Sequence, residues 1–243
     1  KSKDHKKFDL IIDLQSKIRN TLILKMIPTD QFYSSTLNFN LCSKKSNFSK
    51  VKYNIDTIIK NISSLISEDI AYKSYTIDLI NKKFHDEAIK ILPKDNYIGF
   101  SLTQGNLYRK KSWPIEKFIE VANEVVKRKD IPVFFVQKNH SEIIQQIKNH
   151  VKEAIFPEEL STLKGPAFVT ALSSRLKQAI TIDNGIMHMI GLSNIPMIVL
   201  FGPTNSDKFA PKIDKIDILD SKKLYNSDDI NKITSQDVIN YLY

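Results

Sequence analysis

The chain has 243 residues, 42% of them hydrophobic, with 36 Lys and Arg against 27 Asp and Glu and a formal charge of +9. That is length enough for one large domain or two small ones, and no apolar run approaches the roughly 18–20 residues that cross a bilayer, so a membrane-spanning helix is excluded. A single cysteine, Cys42, excludes an internal disulfide and a cysteine-based metal site, and fits a reducing compartment.

The basic start KSKDHKKFDL lacks the apolar region of a signal peptide behind it, so the chain is expected to be soluble and cytoplasmic. Its positive charge suits an anionic partner such as a nucleotide or a phosphorylated glycolipid. The same excess fits a Lys-, Ile- and Asn-rich composition spread along the whole chain. No arginine-rich helix, zinc-ligand spacing or strand mixing aromatic and basic residues points to nucleic acid.

In chain order, FDLIIDLQ (8–15) reads as a buried strand, and SKIRNTLILKMI (16–27) as a helix with Ile18, Leu22, Ile23 and Met26 on one face, stopped by Pro28. Residues 29–56 are polar, rich in Ser and Asn and without a clear period, and are expected to form a long connection or weak strands. VKYNIDTIIKNISSLI and TIDLINKKFHDEAIKIL read as helices, and LPKDN (92–96) as a linker.

Beyond that linker the alternation is regular. YIGFSL (97–102) reads as a strand, followed by the polar loop TQGNLYRKKS. A helix opens at Trp113-Pro114, with proline in the first turn, where its missing N–H costs least. Ile115, Phe118, Ile119, Ala122, Val125 and Val126 then recur at helical spacing. IPVFFVQ (131–137) reads as a strand, and Ser141 as the cap of EIIQQIKNHV. GPAFVTALSSRLKQ (165–178) reads as a helix, AITI (179–182) as a strand, GIMHMIGL (185–192) as a short helix, IPMIVLF (195–201) as a strand and SQDVINYLY as a closing helix. Strands apolar on both faces, taking turns with helices, predict an α/β fold with a parallel sheet covered by helices. The expected domains are a partial N-terminal one over 1–93, a Rossmann-like one over 94–224, and a closing helix over 225–243.

In such a sheet, ligands bind at the carboxyl ends of the strands, where loops run into helix N-termini. At the end of AITI, Asp183, Asn184 and Gly185 lead into a helix start, and Gly185 is expected to permit a tight turn that leaves the amides of residues 185–188 pointing outward to a diphosphate. His188 reads either as a phosphate donor or as an inward-packed neighbour of Met187 and Met189. Asp183 reads either as an acceptor for a sugar hydroxyl or as a helix cap. The loop after residue 102 offers Ser101, Thr103 and Gln104 as polar contacts, with Arg109, Lys110 and Lys111 as cations suited to phosphate or to solvent. Gly202 in FGPTN is expected to let backbone approach a ligand closely, with Thr204 beside it, although Pro203-Thr204 reads equally well as a turn. Glu142, after another strand, reads as a ribose contact or as a surface helix start.

Together, SLTQGNLYRKKSWPIEKF, TIDNGIMHMIGLSNIPMIVLFGPT and the spacing between them resemble glycosyltransferase family 9, the ADP-heptose:lipopolysaccharide heptosyltransferases. The family pattern has a basic residue two before Trp-Pro, then Asp-Ser/Thr-Gly-x-x-His, then an apolar strand ending in Phe/Tyr-Gly-Pro-Thr. These match Lys111 before Trp113-Pro114, then Asp183, Gly185 and His188, then Phe201 to Thr204. FDLIIDLQSKIRNTLI is similar to a family segment that comes after the early strands of the N-terminal domain.

The resemblance implies a GT-B fold of two Rossmann-like domains with parallel sheets, the N-terminal one incomplete here, and an inverting transfer of a sugar, heptose by the family's habit. Lys111 would contact donor phosphate, Asp183 the donor sugar, and Gly185 with His188 the diphosphate. Asn184 stands where the family has Ser or Thr, which removes a hydroxyl. The resemblance further implies an ADP-linked donor, a lipopolysaccharide-core acceptor, no cofactor or metal, and peripheral contact with the inner face of the cytoplasmic membrane. The family's N-terminal Gly-Asp loop, whose Asp is thought to act as general base, has no match here, so no catalytic base is assigned. The alternatives are a nucleotide-sugar-binding module without activity, and a sugar epimerase of the same fold.

Overall fold

The computed structural model describes residues 7–44, 48, 54–70, 76–102 and 111–243, and the chain falls into two units, Lys1–Lys73 and Ser74–Tyr243. The first holds strand β1 (Phe8–Asp13), helix α1 (Ile18–Lys25), strand β2 (Thr29–Ser34) and helix α2 (Asn54–Ile66). The strands pair in parallel, with Phe8 opposite Thr29 and Asp13 opposite Ser34. α1 is the crossover that a parallel pair requires. β2, TDQFYS, lies where a connection or weak strands were expected; its polar residues hide the period, yet Phe32, Tyr33 and Ser34 are buried.

α1 departs from its expected orientation. Ile18, Leu22, Ile23 and Met26 are exposed, Met26 by 83%, and the buried residue of the helix is Thr21. The reason is the Asp13 carboxylate at the end of β1. One of its oxygens accepts from the amides of Gln15 and Ser16, each at 3.1 Å, and the other accepts from the hydroxyls of Thr21 and Ser34. Burial by itself raises the pKa of this carboxyl, but the hydrogen bonds from Thr21, Ser16, Ser34 and Gln15 outweigh it, and the net direction is down. A buried carboxylate with four donors fixes the helix's polar face inward. The apolar core of this unit, Tyr33, Phe39, Ile62 and Leu65, gathers elsewhere, around α2.

The second unit opens with a 3₁₀ turn (Ile77–Leu79) and helix α3 (Lys82–Ile91). A single helix was expected here, but it breaks at Asn81, whose side chain accepts the Lys83 amide as an N-cap. Ala88 and Leu92 are buried in one cluster with Phe168 and Leu172. α3 therefore shares the core of the second unit, and the division falls earlier than the expected linker.

Strand β3 (Tyr97–Ser101), helix α4 (Ile115–Lys127), strand β4 (Ile131–Phe134), helices α5 (Ser141–His150), α6 (Pro157–Leu160) and α7 (Pro166–Ser173), strand β5 (Gln178–Ile182), helix α8 (Gly185–Gly191) and strand β6 (Met197–Phe201) come next. Helix α9 (Ser206–Phe209), strand β7 (Ile216–Asp220), helix α10 (Ser221–Tyr225), a 3₁₀ turn (Ile230–Lys232) and helix α11 (Ser235–Ile239) complete the unit. Some boundaries differ from expectation: Pro114 precedes α4 as its cap residue, and Ser141 is already inside α5, with His140 at the cap. β7, IDILD, is a strand that charge concealed. It lies at the sheet edge, where Asp217 needs only partial burial.

The five strands run parallel in the order β4-β3-β5-β6-β7. Alternate residues supply two cores: Ile98, Phe100, Ile180 and Leu200 pack with Phe118 of α4 on one face, while Ala179, Val199 and Phe201 pack with Phe168 of α7 on the other. Trp113 is buried against the first core, and its indole N–H donates to the Ile233 carbonyl at 2.9 Å, anchoring the start of α4 to the C-terminal segment. The chain leaves β3 in one direction to β4 and returns past it to β5. Connections therefore diverge between β3 and β5, the place where a parallel sheet opens a crevice at its carboxyl edge. No described helix is long and apolar enough to cross a membrane.

α4 ends at Lys127 with Arg128 as its cap residue; Lys129 follows, exposed and with φ of 66°, its amide bonding to the Val126 carbonyl while the Asp130 amide bonds to that of Val125. This left-handed C′ position favours glycine. Lys129→Gly is expected to raise unfolding stability by about 1 kcal/mol, read as a higher urea midpoint at unchanged slope.

Candidate active site

Three loops meet at the carboxyl edge where the connections diverge: those after β3, β5 and β6. Their centre is Asp183, directly after β5 and only 9% exposed. One of its carboxylate oxygens accepts both from the Lys111 ammonium and from the Thr204 hydroxyl, the latter at 2.7 Å. Lys111 is itself 8% exposed, so the pair is buried as a unit. Removing one member of such a pair leaves an uncompensated charge, at a cost of about 3–5 kcal/mol. The sequence separates these three residues widely; the sheet brings them together.

Asn184 is the N-cap of α8. Its carbonyl oxygen accepts the Met187 amide at 2.9 Å, and its amide nitrogen donates to the Ser101 hydroxyl at 2.8 Å. This corrects the expectation of an outward row of amides from 185 to 188, since the amide of Met187 is taken by the cap. The tight turn expected at Gly185 needs correcting too: its φ is not in the left-handed region, and a Cβ there would meet nothing within 4 Å. Glycine at 185 keeps the surface bare rather than relieving strain.

His188 stands one position beyond the capped amide and is exposed, not packed inward. The chain around the exposed ring still desolvates it in part, and this lowers its pKa; Asp183 pulls it up, and Lys111 adds to the fall. Near neutral pH the ring is therefore mainly uncharged, a donor through one nitrogen and an acceptor through the other.

Gly202 plays a different part from the expected one. A Cβ there would stand 2.8 Å from Cβ of Ile230 and 3.2 Å from the Asp228 carbonyl oxygen. The close approach that glycine allows is thus to the chain's own 228–230 segment, and the residue is buried. Ser101 is fully buried, with its hydroxyl serving Asn184. Glu142 is an exposed residue in the first turn of α5. Thr103, Gln104, Arg109 and Lys110 lie outside the described residues.

Sequence reasoning missed Asp220. This buried residue ends β7, accepts the Ser206 hydroxyl at 2.6 Å, and caps α10 through the Lys222 amide at 2.9 Å. It thereby secures the loop that carries Thr204. The available signal was an Asp-Ser pair directly after Ile218 and Leu219, obscured because IDILD also reads as a charged surface segment. Among the described residues, no group of three His, Cys, Asp or Glu side chains is placed to hold a metal ion. Two clefts, about 710 Å³ along α2 and about 390 Å³ beside β1 and α1, lie in the first unit and are lined by none of Ser101, Lys111, Asp183, Asn184, His188 and Thr204.

A family model described as glycosyltransferase family 9 (heptosyltransferase) matches residues 2–239. The chain belongs to that family. It is a glycosyltransferase of the heptosyltransferase type. No curated protein sequence matches it, but solved structures share its fold. A family 9 glycosyl transferase from Veillonella parvula superposes with a TM-score of 0.73 at 20% identity, over 97% of this chain and 72% of that one. The E. coli heptosyltransferase WaaC with ADP gives 0.70 at 14% identity, over 97% and 72%. E. coli ADP-heptose lps heptosyltransferase II gives 0.64 at 15%, over 95% and 73%. At these identities the likeness carries the fold, an α/β GT-B type with parallel sheets, while the family model carries the membership.

Within this glycosyltransferase, the environment of His188 sets a pH dependence. Its folded pKa lies below the unfolded value of 6.5, so the unfolded chain binds more protons in that window. The stability tied to this ring is present above pH 6.5 and is lost as pH falls through 6.5 toward the folded pKa. His188→Gln removes that part, so the melting temperature of the wild type is expected to fall relative to that of the variant between pH 7 and pH 5. A constant difference across that range would show that the ring does not titrate as described.

Proposed function

We propose that this chain's Asp183 node is the donor site of an inverting transfer, from an ADP-linked heptose to a lipopolysaccharide-core-type acceptor, without metal or cofactor. The observation that carries the reading is the buried Lys111 ammonium bonded to Asp183, which Thr204 also meets, at the divergence of β3 and β5. The chain's family membership supplies the reaction class. The donor identity is supported by two related structures, WaaC with ADP and WaaC with ADP-2-deoxy-2-fluoro heptose.

The chemistry is one of charge. In a direct displacement, an acceptor hydroxyl oxygen bonds to the anomeric carbon as the bond from that carbon to the diphosphate oxygen breaks. Negative charge grows on the leaving diphosphate, and the hydroxyl proton passes to a base that the matched motifs do not include. The Lys111 ammonium, held in place by Asp183, is the positive charge that would face a phosphate oxygen. His188 adds a neutral donor on the exposed side, and the bare surface at Gly185 admits the diphosphate close to the backbone. Groups held in place before the reaction stabilise such charge without reorganising. The surplus of Lys and Arg favours a phosphorylated acceptor presented at the cytoplasmic face of a membrane.

Calorimetric titration with ADP, UDP and GDP tests the site. ADP is expected to bind most tightly, and Lys111→Ala to weaken it at least tenfold. In a transfer assay with ADP-heptose and a lipopolysaccharide-core acceptor, Lys111→Ala is expected to lower kcat by about 10²–10³-fold, the size typical of losing one preorganised charge-stabilising donor. Unchanged transfer by a Lys111→Ala/His188→Ala protein would sink the assignment. Binding of ADP without any transfer would favour a binding module.

A further inference from the structure

The Asn184 amide is the one place where this chain departs from the family's Asp-Ser/Thr-Gly-x-x-His turn, and the structure shows both of its ends in use. The carbonyl oxygen caps α8 through Met187, as a Ser or Thr hydroxyl also does at an N-cap. The nitrogen reaches across the sheet edge to Ser101. A hydroxyl side chain has no second arm for that reach. Ser101 is the last residue of β3, paired in register with Thr181 of β5, and is fully buried. It lies on the strand whose next loop ends at Lys111. Two ties therefore cross the crevice, Asn184 to Ser101 and Asp183 to Lys111, from adjacent residues of one turn to the two ends of one loop.

Resting on the donor-site reading above, we propose that Asn184 is a positioning residue: by bonding Ser101 it holds the β5–α8 turn at the spacing where Lys111 and the Gly185 surface meet the diphosphate, and it does not itself contact the donor sugar. Half-buried and held at its oxygen by the cap and at its nitrogen by Ser101, the side chain cannot be turned out toward a ligand without breaking the Ser101 bond. The hydroxyl of Ser101 would then lose its partner in a fully buried position, which is costly.

The test is a double-mutant cycle read by ADP titration and by melting temperature without ligand. Asn184→Ser keeps a cap oxygen and loses the brace; Ser101→Ala keeps the cap and loses the brace from the other side. Each is expected to weaken ADP binding by about three- to tenfold, the equivalent of one neutral hydrogen bond. The double variant should be no weaker than the worse single one, because both remove the same bond. Ser101→Thr, which retains the hydroxyl, should bind as the wild type does. If Ser101→Ala does not fold, Ser101→Cys, a weak acceptor of similar size, takes its place with the same expectation. Ser101→Ala binding ADP normally while Asn184→Ser binds weakly would place Asn184 on the ligand and overturn the proposal. Lowered melting temperatures with unchanged affinity would reduce the bond to scaffold and also overturn it. A wild-type chain that binds none of ADP, UDP and GDP defeats the donor-site reading itself, and this proposal with it.

Discussion

A buried carboxylate must be met by donors, and the second unit of this protein is arranged around one that is. Asp183 takes a lysine ammonium from the end of the β3 loop and a hydroxyl from the β6 loop on a single oxygen. Those loops lie far apart in sequence, so the contact exists only because β5 runs between β3 and β6 in a parallel sheet. The sheet order is what makes a site, and the carboxylate makes its loops converge. Every further anchor serves the same edge: Asn184 bonded to Ser101, Asp220 bonded to Ser206, and Gly202 seated against Ile230.

The first unit repeats the device on a smaller scale. Asp13 also closes a parallel strand, is also buried, and also collects donors from the next strand and the crossover helix. There the carboxylate is saturated by four neighbours and acts as a structural peg. Asp183 differs in its partner: a lysine brings positive charge to the edge, where Asp13 meets only amides and hydroxyls. That difference in charge, rather than the shared strand-end position, is the physical reason to read one as a site and the other as scaffold.

Strands β3 to β6 of the second unit were legible because both faces are covered, so Phe100, Ile180 and Leu200 stand in continuous apolar runs. β2 and β7 were not, because each is half polar and borrows its burial from one side. α1 misled for the opposite reason. Its apolar stripe is real in the sequence, but the Asp13–Thr21 bond decides which face turns inward, and a polar contact across eight residues leaves no periodic trace. Lys111, Asp183 and His188 were singled out through spacing and family likeness, but the bonds that join Lys111 and Thr204 to Asp183 were not visible in the sequence. Gly185 and Gly202 were singled out for ligand approach, but only a three-dimensional neighbour distinguishes a glycine facing open space from one pressed on Ile230. Asp220 escaped because its role is to hold another loop.

If the Asp183–Lys111 pair receives the donor diphosphate, a crystal structure of the chain with ADP shows it most directly. Phosphate oxygens are expected within hydrogen-bonding distance of the Lys111 ammonium and over the Gly185 turn, with Lys111 still bonded to Asp183. ADP bound elsewhere, with Lys111 and Asp183 untouched, would contradict that assignment.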